Sequence, residues 1–386
     1  ETAELFVVGT FDDLKIRKVI KPDPQKISLT VGTEKAFFAC GEEMAFSLRV
    51  DFGGQPIPER PYTIRWTRTG DDGKRVTGAE TVASGEPTVL RTRLEEPGFV
   101  RIQAHLVDSK GRQIKKKDKQ GRLKSISFDG GAGAEPEKLQ SAAEEPPDFD
   151  AFWAKQKARL AAVPVKYEMK RASQPEANVE IYAVSVDCAG PRPVTGYLTI
   201  PAGAKDKSLP AYASYHGYGT GIQRAPSSGS SGRLHFNVNA HGYELGREDT
   251  YYADFFAKIK SNGKGYAFDP EQNADPEAAY FNGMALRVMR SLQFLKSLPQ
   301  WNGKELVVSG GSQGGLQTIW AAGLEPDASA ATPSITWCCD FAGPSKGRLG
   351  GWRPSYVPAL NYYDSVFHAK RITCPSVISR AGLGDY

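Results

Sequence analysis

A β-favouring run, Val307-Val308-Ser309, climbs into Gly310-Gly311-Ser312-Gln313-Gly314-Gly315, and a helical pattern follows through Thr318, Ile319, Trp320, Ala321 and Ala322. This is G-x-S-x-G between a strand and a helix, the setting in which a serine serves as an exposed nucleophile. The chemistry needs these residue types at this spacing. A serine on so tight a turn takes a strained backbone conformation, and Gly310 and Gly314 let strand and helix approach each other. The hydroxyl projects from the turn, and the N–H of Gln313 points at the same space, where it can stabilise an oxyanion. Glycine-rich turns also bind phosphates or merely reverse the chain; the flanking strand and helix select the nucleophile.

A second stretch, Ala211-Tyr212-Ala213-Ser214-Tyr215, reads as a strand that ends in His216-Gly217-Tyr218-Gly219. In sheets that carry a nucleophile elbow, the loop after such a strand supplies the other oxyanion N–H, here the backbone of Tyr218. His216 invites assignment as a base, but its place in an H-G-x-G turn makes it a structural hydrogen-bonder that, with Gly217, supports the motif. His241, in Asn239-Ala240-His241-Gly242, reads likewise as a loop-ordering residue.

The elements that must position these groups fall into two regions. Residues 1–130 alternate apolar and polar in Ala45–Phe52, Tyr62–Trp66 and Val100–Ala104, with turn signals such as Gly53-Gly54 and Pro97-Gly98 between. That predicts a small all-β sandwich of immunoglobulin-like type. Residues 131–147, with Gly130-Gly131-Ala132-Gly133 and Glu144-Glu145-Pro146-Pro147 at either end, read as a linker. Residues 148–386 open on an amphipathic helix capped by Asp148 or Asp150, with Phe149, Phe152, Trp153 and Leu160 as its packing face. Strands and helices then alternate, which predicts an α/β fold, a doubly wound and mostly parallel sheet. Tyr280 to Leu298 is an amphipathic helix with Phe281, Met284, Val288, Leu292 and Leu295 at three-to-four spacing.

Composition adds limits. The 386 residues are 40% hydrophobic and 24% charged, with a net charge of +5. The basic run Lys115-Lys116-Lys117-Asp118-Lys119 has no interleaved aromatics, so no nucleic-acid partner is expected. No apolar stretch is long enough for a membrane-spanning helix. The chain begins at Glu1 without a signal peptide, as a processed secreted or periplasmic protein would. Cys40, Cys188, Cys338, Cys339 and Cys374 lack metal spacing, and their odd number argues against a full disulfide framework. Adjacent Cys338 and Cys339 read as buried small hydrophobes.

Together, Asp148-Phe149-Asp150-Ala151-Phe152-Trp153, His216-Gly217-Tyr218, Gly310-Gly311-Ser312-Gln313-Gly314-Gly315, Cys339-Asp340-Phe341 and Gly382-Leu383-Gly384-Asp385 resemble the acetyl xylan esterase / cephalosporin-C deacetylase family over residues 146–386. The resemblance implies an α/β-hydrolase fold without metal or cofactor. It also implies deacetylation of O-acetylated xylan, xylo-oligosaccharides and related small esters. Carried over by position, Ser312 is the nucleophile, Tyr218 and Gln313 offer oxyanion N–H groups, and Asp385 is the triad acid. The chain departs from the family where Arg287 replaces an acid, where Asn239 and His241 stand for an Asp and an Arg, and in the added β-domain.

In this fold class the triad histidine follows the acid. None of His105, His216, His235, His241 and His368 does, so the histidine is expected beyond Tyr386, with the last strand and helix. An oligomer is compatible with the sequence. Two other readings are a prolyl-oligopeptidase-like serine peptidase, for which 130 residues of sandwich are too few to build the usual propeller, and a non-catalytic glycan-binding or scaffold protein. Trp337 and Trp352, after the elbow helix, could stack on sugar rings or simply pack.

Overall fold

The computed structural model of the chain describes residues 3–8, 15–20, 22–82, 85–172, 178–229 and 232–379. Contacts divide it into two compact units, one running to Gln140 and taking in Lys346–Leu349, the other beginning at Ser141 and taking in the residues from Gly350.

The first unit is all β: β1 (Ala3–Val8), β2 (Lys15–Ile20), β3 (Ser28–Gly32), β4 (Phe37–Phe38), β5 (Met44–Asp51), β6 (Tyr62–Gly70), β7 (Arg75–Val82), β8 (Thr88–Thr92), β9 (Gly98–Val107), β10 (Lys115–Lys117), β11 (Leu123–Ser125) and β12 (Ser127–Ala134). The strand orders β3-β5-β8 and β4-β12-β9-β6-β7 make its two principal sheets. Alternation in sequence becomes alternation in burial. Phe46, Leu48 and Val50 of β5 and Val100, Ile102, Ala104 and Leu106 of β9 point into one shared core. Two sheets whose inner faces interdigitate in this way form a sandwich.

The stretch 131–147 is not the flexible linker that its composition predicts. β12 continues to Ala134 and pairs antiparallel with β9, Ala132 opposite Val100. A Cβ on Gly131 would lie 1.7 Å from the Val100 carbonyl oxygen, so that glycine answers to a close neighbour rather than to flexibility. Further on, the Ala142 N–H donates to Asp340 Oδ1 at 2.9 Å, and Glu145 is clasped by Lys370 at 2.9 Å and Arg371 at 2.5 Å.

The second unit contains α1 (Phe149–Ala161), β13 (Tyr167–Arg171), β14 (Val179–Val186), β15 (Val194–Pro201), β16 (Leu209–Tyr215), β17 (Leu234–Asn239), α2 (Asp249–Lys258), α3 (Pro270–Asn273), α4 (Tyr280–Ser297), β18 (Trp301–Gly311), α5 (Gln313–Leu324), β19 (Ala330–Ser334), α6 (Ser365–Ala369) and β20 (Ser376–Val377). Its sheet has the order β13-β14-β15-β17-β16-β18-β19-β20. Pairing is antiparallel from β13 through to β17 and parallel from β17 onward. β15 is buried at every position from Val194 to Ile200, as a strand covered on both faces must be.

Helices α4 and α5 pack on the sheet in one core, through Val288, Leu292 and Leu295 of the first and Ala321 and Ala322 of the second. With α1 they build a second core around Trp153, Phe281, Leu316 and Trp320. Asp148 does stand at the start of α1, but its carboxylate makes no cap; it accepts from the Tyr362 hydroxyl at 2.5 Å. Asp150 pairs with Arg371 at 2.7 Å instead of capping. Cys338 is buried as expected, whereas Cys339 is exposed. Among the described residues, no helix is long and apolar enough to cross a membrane.

Candidate active site

β16 and β18 lie side by side and parallel, Tyr215 opposite Gly310, so the segments leaving their C-terminal ends meet at the same edge of the sheet. That edge is where open α/β sheets hold their ligands. After β18 the chain turns through Ser312, whose φ of +55° and ψ of −120° place a non-glycine residue in strained backbone. Three hydrogen bonds hold it there. Ser312 N–H donates to the Ser334 carbonyl at 2.9 Å, and its own carbonyl accepts from Leu316 and Trp337 at 3.1 Å each. Gly310 and Gly314 are needed because backbone surrounds them. A Cβ on Gly310 would lie 2.5 Å from the Gly314 carbonyl oxygen, and one on Gly314 would lie 2.1 Å from that of Tyr215.

The segment after β16 reaches the same point. A Cβ on Gly217 would sit 3.8 Å from Ser312 Cβ, so Ser312 and Gly217 are brought together. Neither the Tyr218 N–H nor the Gln313 N–H has a backbone acceptor among the described residues. Ser312 itself is half-buried. The Gln313 side chain is fully buried, and its Oε1 accepts from the Tyr266 hydroxyl at 2.9 Å.

Both nearby histidines are occupied. His216 Nδ1 lies 2.7 Å from the Gly217 carbonyl, and its Nε2 accepts the Ala240 N–H at 3.1 Å. An accepting Nε2 puts the proton on Nδ1 and keeps the ring neutral. His241 Nε2 donates to the Gly219 carbonyl at 3.0 Å, which leaves Nδ1 to accept from Tyr280 at 2.8 Å. Each therefore orders a loop, as the sequence predicts. His368 is fully buried on α6. Its carbonyl packs on Gly323, eleven residues along α5 from Ser312, or about 16 Å at the helical rise. Asp385 lies outside the described residues.

Arg287 and the 239–242 loop also meet. Arg287 is buried, its Nε donates to the Ala240 carbonyl at 2.9 Å, and burial pushes its guanidinium down to about 10. Arg192 Nε donates to the His241 carbonyl at 2.6 Å, and Asn239 Oδ1 accepts from His241 at 2.8 Å and Gly242 at 3.0 Å. Bonds from three side chains to main chain thus secure this loop.

An aromatic wall flanks the serine. The Tyr218 ring stacks on Tyr266 at 4.1 Å and meets Trp337 at 5.2 Å and Trp352 at 4.5 Å. Trp352 is 58% exposed and stacks on Trp337 at 5.5 Å. Tyr266 is the residue that the sequence conceals: it stands in Gly265-Tyr266-Ala267-Phe268, outside any periodic element.

The buried histidines make stability depend on pH. Burial holds His216 below its ordinary value of 6.5 and His241 well below it, and brings His235 down to about 4 and His368 to about 3. Each binds a proton more readily when unfolded, so stability falls as pH drops from about 6.5 toward 4. Asp364 acts oppositely: burial raises its carboxyl to about 6, which favours the fold as pH falls through that value. Four groups against one decide the sign. The thermal midpoint should be lower at pH 5 than at pH 7.5; an equal or higher midpoint at pH 5 would refute this account.

A strained serine stands at the C-terminal end of the parallel strands of an α/β sheet. The chain belongs to the acetyl xylan esterase (AXE1) family, which matches residues 134–349, more than half of its length. It is 26% identical over 323 residues to acetyl esterase Axe7A of Xylanibacter ruminicola, a match that covers 78% of this chain and 67% of that one. Among solved structures it resembles the acetyl xylan esterase from Paenibacillus sp. R4, with 26% identity and a TM-score of 0.51 over 61% of this chain and 79% of that one. The protein is therefore a carboxylic ester hydrolase of a carbohydrate esterase family.

Proposed function

We propose that the protein removes O-acetyl groups from acetylated xylan or xylo-oligosaccharides through an acyl-serine intermediate. The observation that carries this reading is Ser312 at φ +55° with Gly217 packed against it and, among the described residues, no backbone acceptor for the N–H groups of Tyr218 and Gln313. Ser312 Oγ attacks the acetyl carbonyl. The proton passes to a histidine, which the family's chain order sets after Asp385, and Asp385 orients that histidine. The two N–H groups hold the oxyanion, each worth about 3 kcal/mol in the transition state. The tetrahedral adduct expels the sugar alcohol, which takes the proton back, and water then attacks the acyl-serine to release acetate.

The exposed face of Trp352, beside the Tyr218 ring, supports a sugar as the alcohol portion, since an aromatic face packs well against a pyranose ring. In Trp352→Ala, KM for acetylated xylo-oligosaccharides should rise about three- to tenfold, the equivalent of about 1 kcal/mol. Turnover of a small aryl acetate should be unchanged. Equal losses on both substrates would refute the platform. The reading as a whole is tested by acetate release from acetylated xylan by the full-length gene product: turnover of aryl acetates alone would keep the mechanism and remove the substrate.

A further inference from the structure

The two turns that carry the proposed oxyanion donors part company above the sheet. The ladder between β16 and β18 ends at Tyr215 and Gly310, and no backbone hydrogen bond joins residues 217–219 to residues 311–314 among the described residues. Main-chain packing of Gly314 against Tyr215 and His216 joins the bases of the two turns, and beyond it side chains bridge them. Tyr266 spans them. Its hydroxyl oxygen accepts the Gly219 N–H at 2.9 Å and donates its own proton to Gln313 Oε1 at 2.9 Å. A backbone N–H can only donate and a carbonyl oxygen only accept, so both bonds have a fixed direction.

The same residue grips Tyr218 twice more. The rings stack at 4.1 Å and 12°, and the Tyr218 hydroxyl donates to the Tyr266 carbonyl at 3.1 Å. Tyr266 is itself immobilised: it is 1% exposed, with His241 edge-on at 4.6 Å and Tyr280 at 5.0 Å. Burial also raises its hydroxyl far above the ordinary range, so it remains a donor at every working pH.

We infer that Tyr266 is a positioning residue, whose hydroxyl sets the spacing between the Tyr218 and Gln313 N–H groups and so the fit of the oxyanion site to the tetrahedral intermediate. The inference rests on the reading of those two groups as the oxyanion donors. It assigns Tyr266 no contact with substrate. Removing the hydroxyl leaves both donors in place but cuts the hydrogen-bonded link between Gly219 and the Gln313 side chain, and displacements of about 1 Å cost catalysis about a hundredfold. The loss should fall on the transition state and spare ground-state binding.

The test uses Tyr266→Phe in the full-length enzyme with a small aryl acetate. The expected result is a kcat lowered about ten- to a hundredfold with KM within twofold, and a matching loss of affinity for a boronic acid, which forms a tetrahedral serine adduct. Gln313→Leu removes the acceptor but keeps the backbone N–H, so it should reproduce the effect. The double variant should be no worse than the poorer single one. This arm also decides the matter should Tyr266→Phe not fold. Tyr363→Phe is the structural control: that buried hydroxyl donates to the Pro276 carbonyl, and its loss should lower the thermal midpoint without touching kcat. If kcat in Tyr266→Phe and Gln313→Leu stays within twofold while Ser312→Ala is inactive, the positioning role is overturned and the esterase reading stands. Retained turnover in Ser312→Ala would overturn both.

Discussion

Ser312→Ala is expected to lower kcat for acetyl ester hydrolysis about a hundred-thousandfold, to the level left by oxyanion stabilisation and binding. The substitution is clean because alanine keeps the Cβ that already sits at φ +55°, so the strain of the elbow is the same in both proteins. The bonds that hold the turn are all main-chain bonds, to Ser334, Leu316 and Trp337, and survive the change. The unfolding free energy should therefore move by less than about 0.5 kcal/mol. Circular dichroism melts and acetate release, measured on the same preparations, check both halves. A variant that unfolds early would attribute lost turnover to the fold. A variant that folds and still releases acetate would displace Ser312 from the mechanism.

Gly314→Ala should be destabilising by about 3 kcal/mol or more. The new methyl group would lie 2.1 Å from the Tyr215 carbonyl oxygen, 2.8 Å from the carbonyl carbon and 3.2 Å from the His216 carbonyl oxygen. All three atoms are main chain of the neighbouring parallel strand and the loop that follows it, so no side chain can swing aside. Relief requires the strand and helix to separate, which also moves Gln313 away from Tyr218. Stability and turnover should fall together. Gly190→Ala is the contrasting case, since its methyl would meet only Gly283 Cα at 3.6 Å and Leu286 at 3.8 Å, ordinary contact distances. Urea unfolding of the two variants checks the contrast; similar midpoints would show that the elbow yields more readily than its geometry implies.

Much of the scaffold is legible in the chain because it is periodic. The spacing of Phe281, Met284, Val288, Leu292 and Leu295 predicts α4, and all five are buried. The alternation in Val100–Ala104 predicts β9, and the run into Gly310 predicts β18 and the turn at Ser312. The legible site residues are those whose backbone demands a type, a serine between glycines and a glycine after a histidine. What escapes is set by tertiary packing. Gly131 looks flexible in sequence and is hemmed in by Val100. Asp148 has the right type and place for a cap, yet Tyr362, more than two hundred residues away, claims its carboxylate. Tyr266 lies in irregular chain, where no period marks it and only the approach of Gly219 and Gln313 gives its hydroxyl a purpose. The departures at Arg287 and Asn239 are visible as letters, but their joint grip on one loop is not.

Tyr218 offers a peptide N–H on one side and an aromatic ring on the other. The first is indifferent to the side chain that stands there; the second meets Trp352 and Tyr266. In the proposed mechanism, drift at this position can therefore redraw which acylated sugar is welcomed while the charge on the tetrahedral oxygen is still met. Positions 266 and 313 have no such freedom, since their side chains hold each other. A lineage exploring new esters would find preference and rate separable at one tyrosine and locked together at the next.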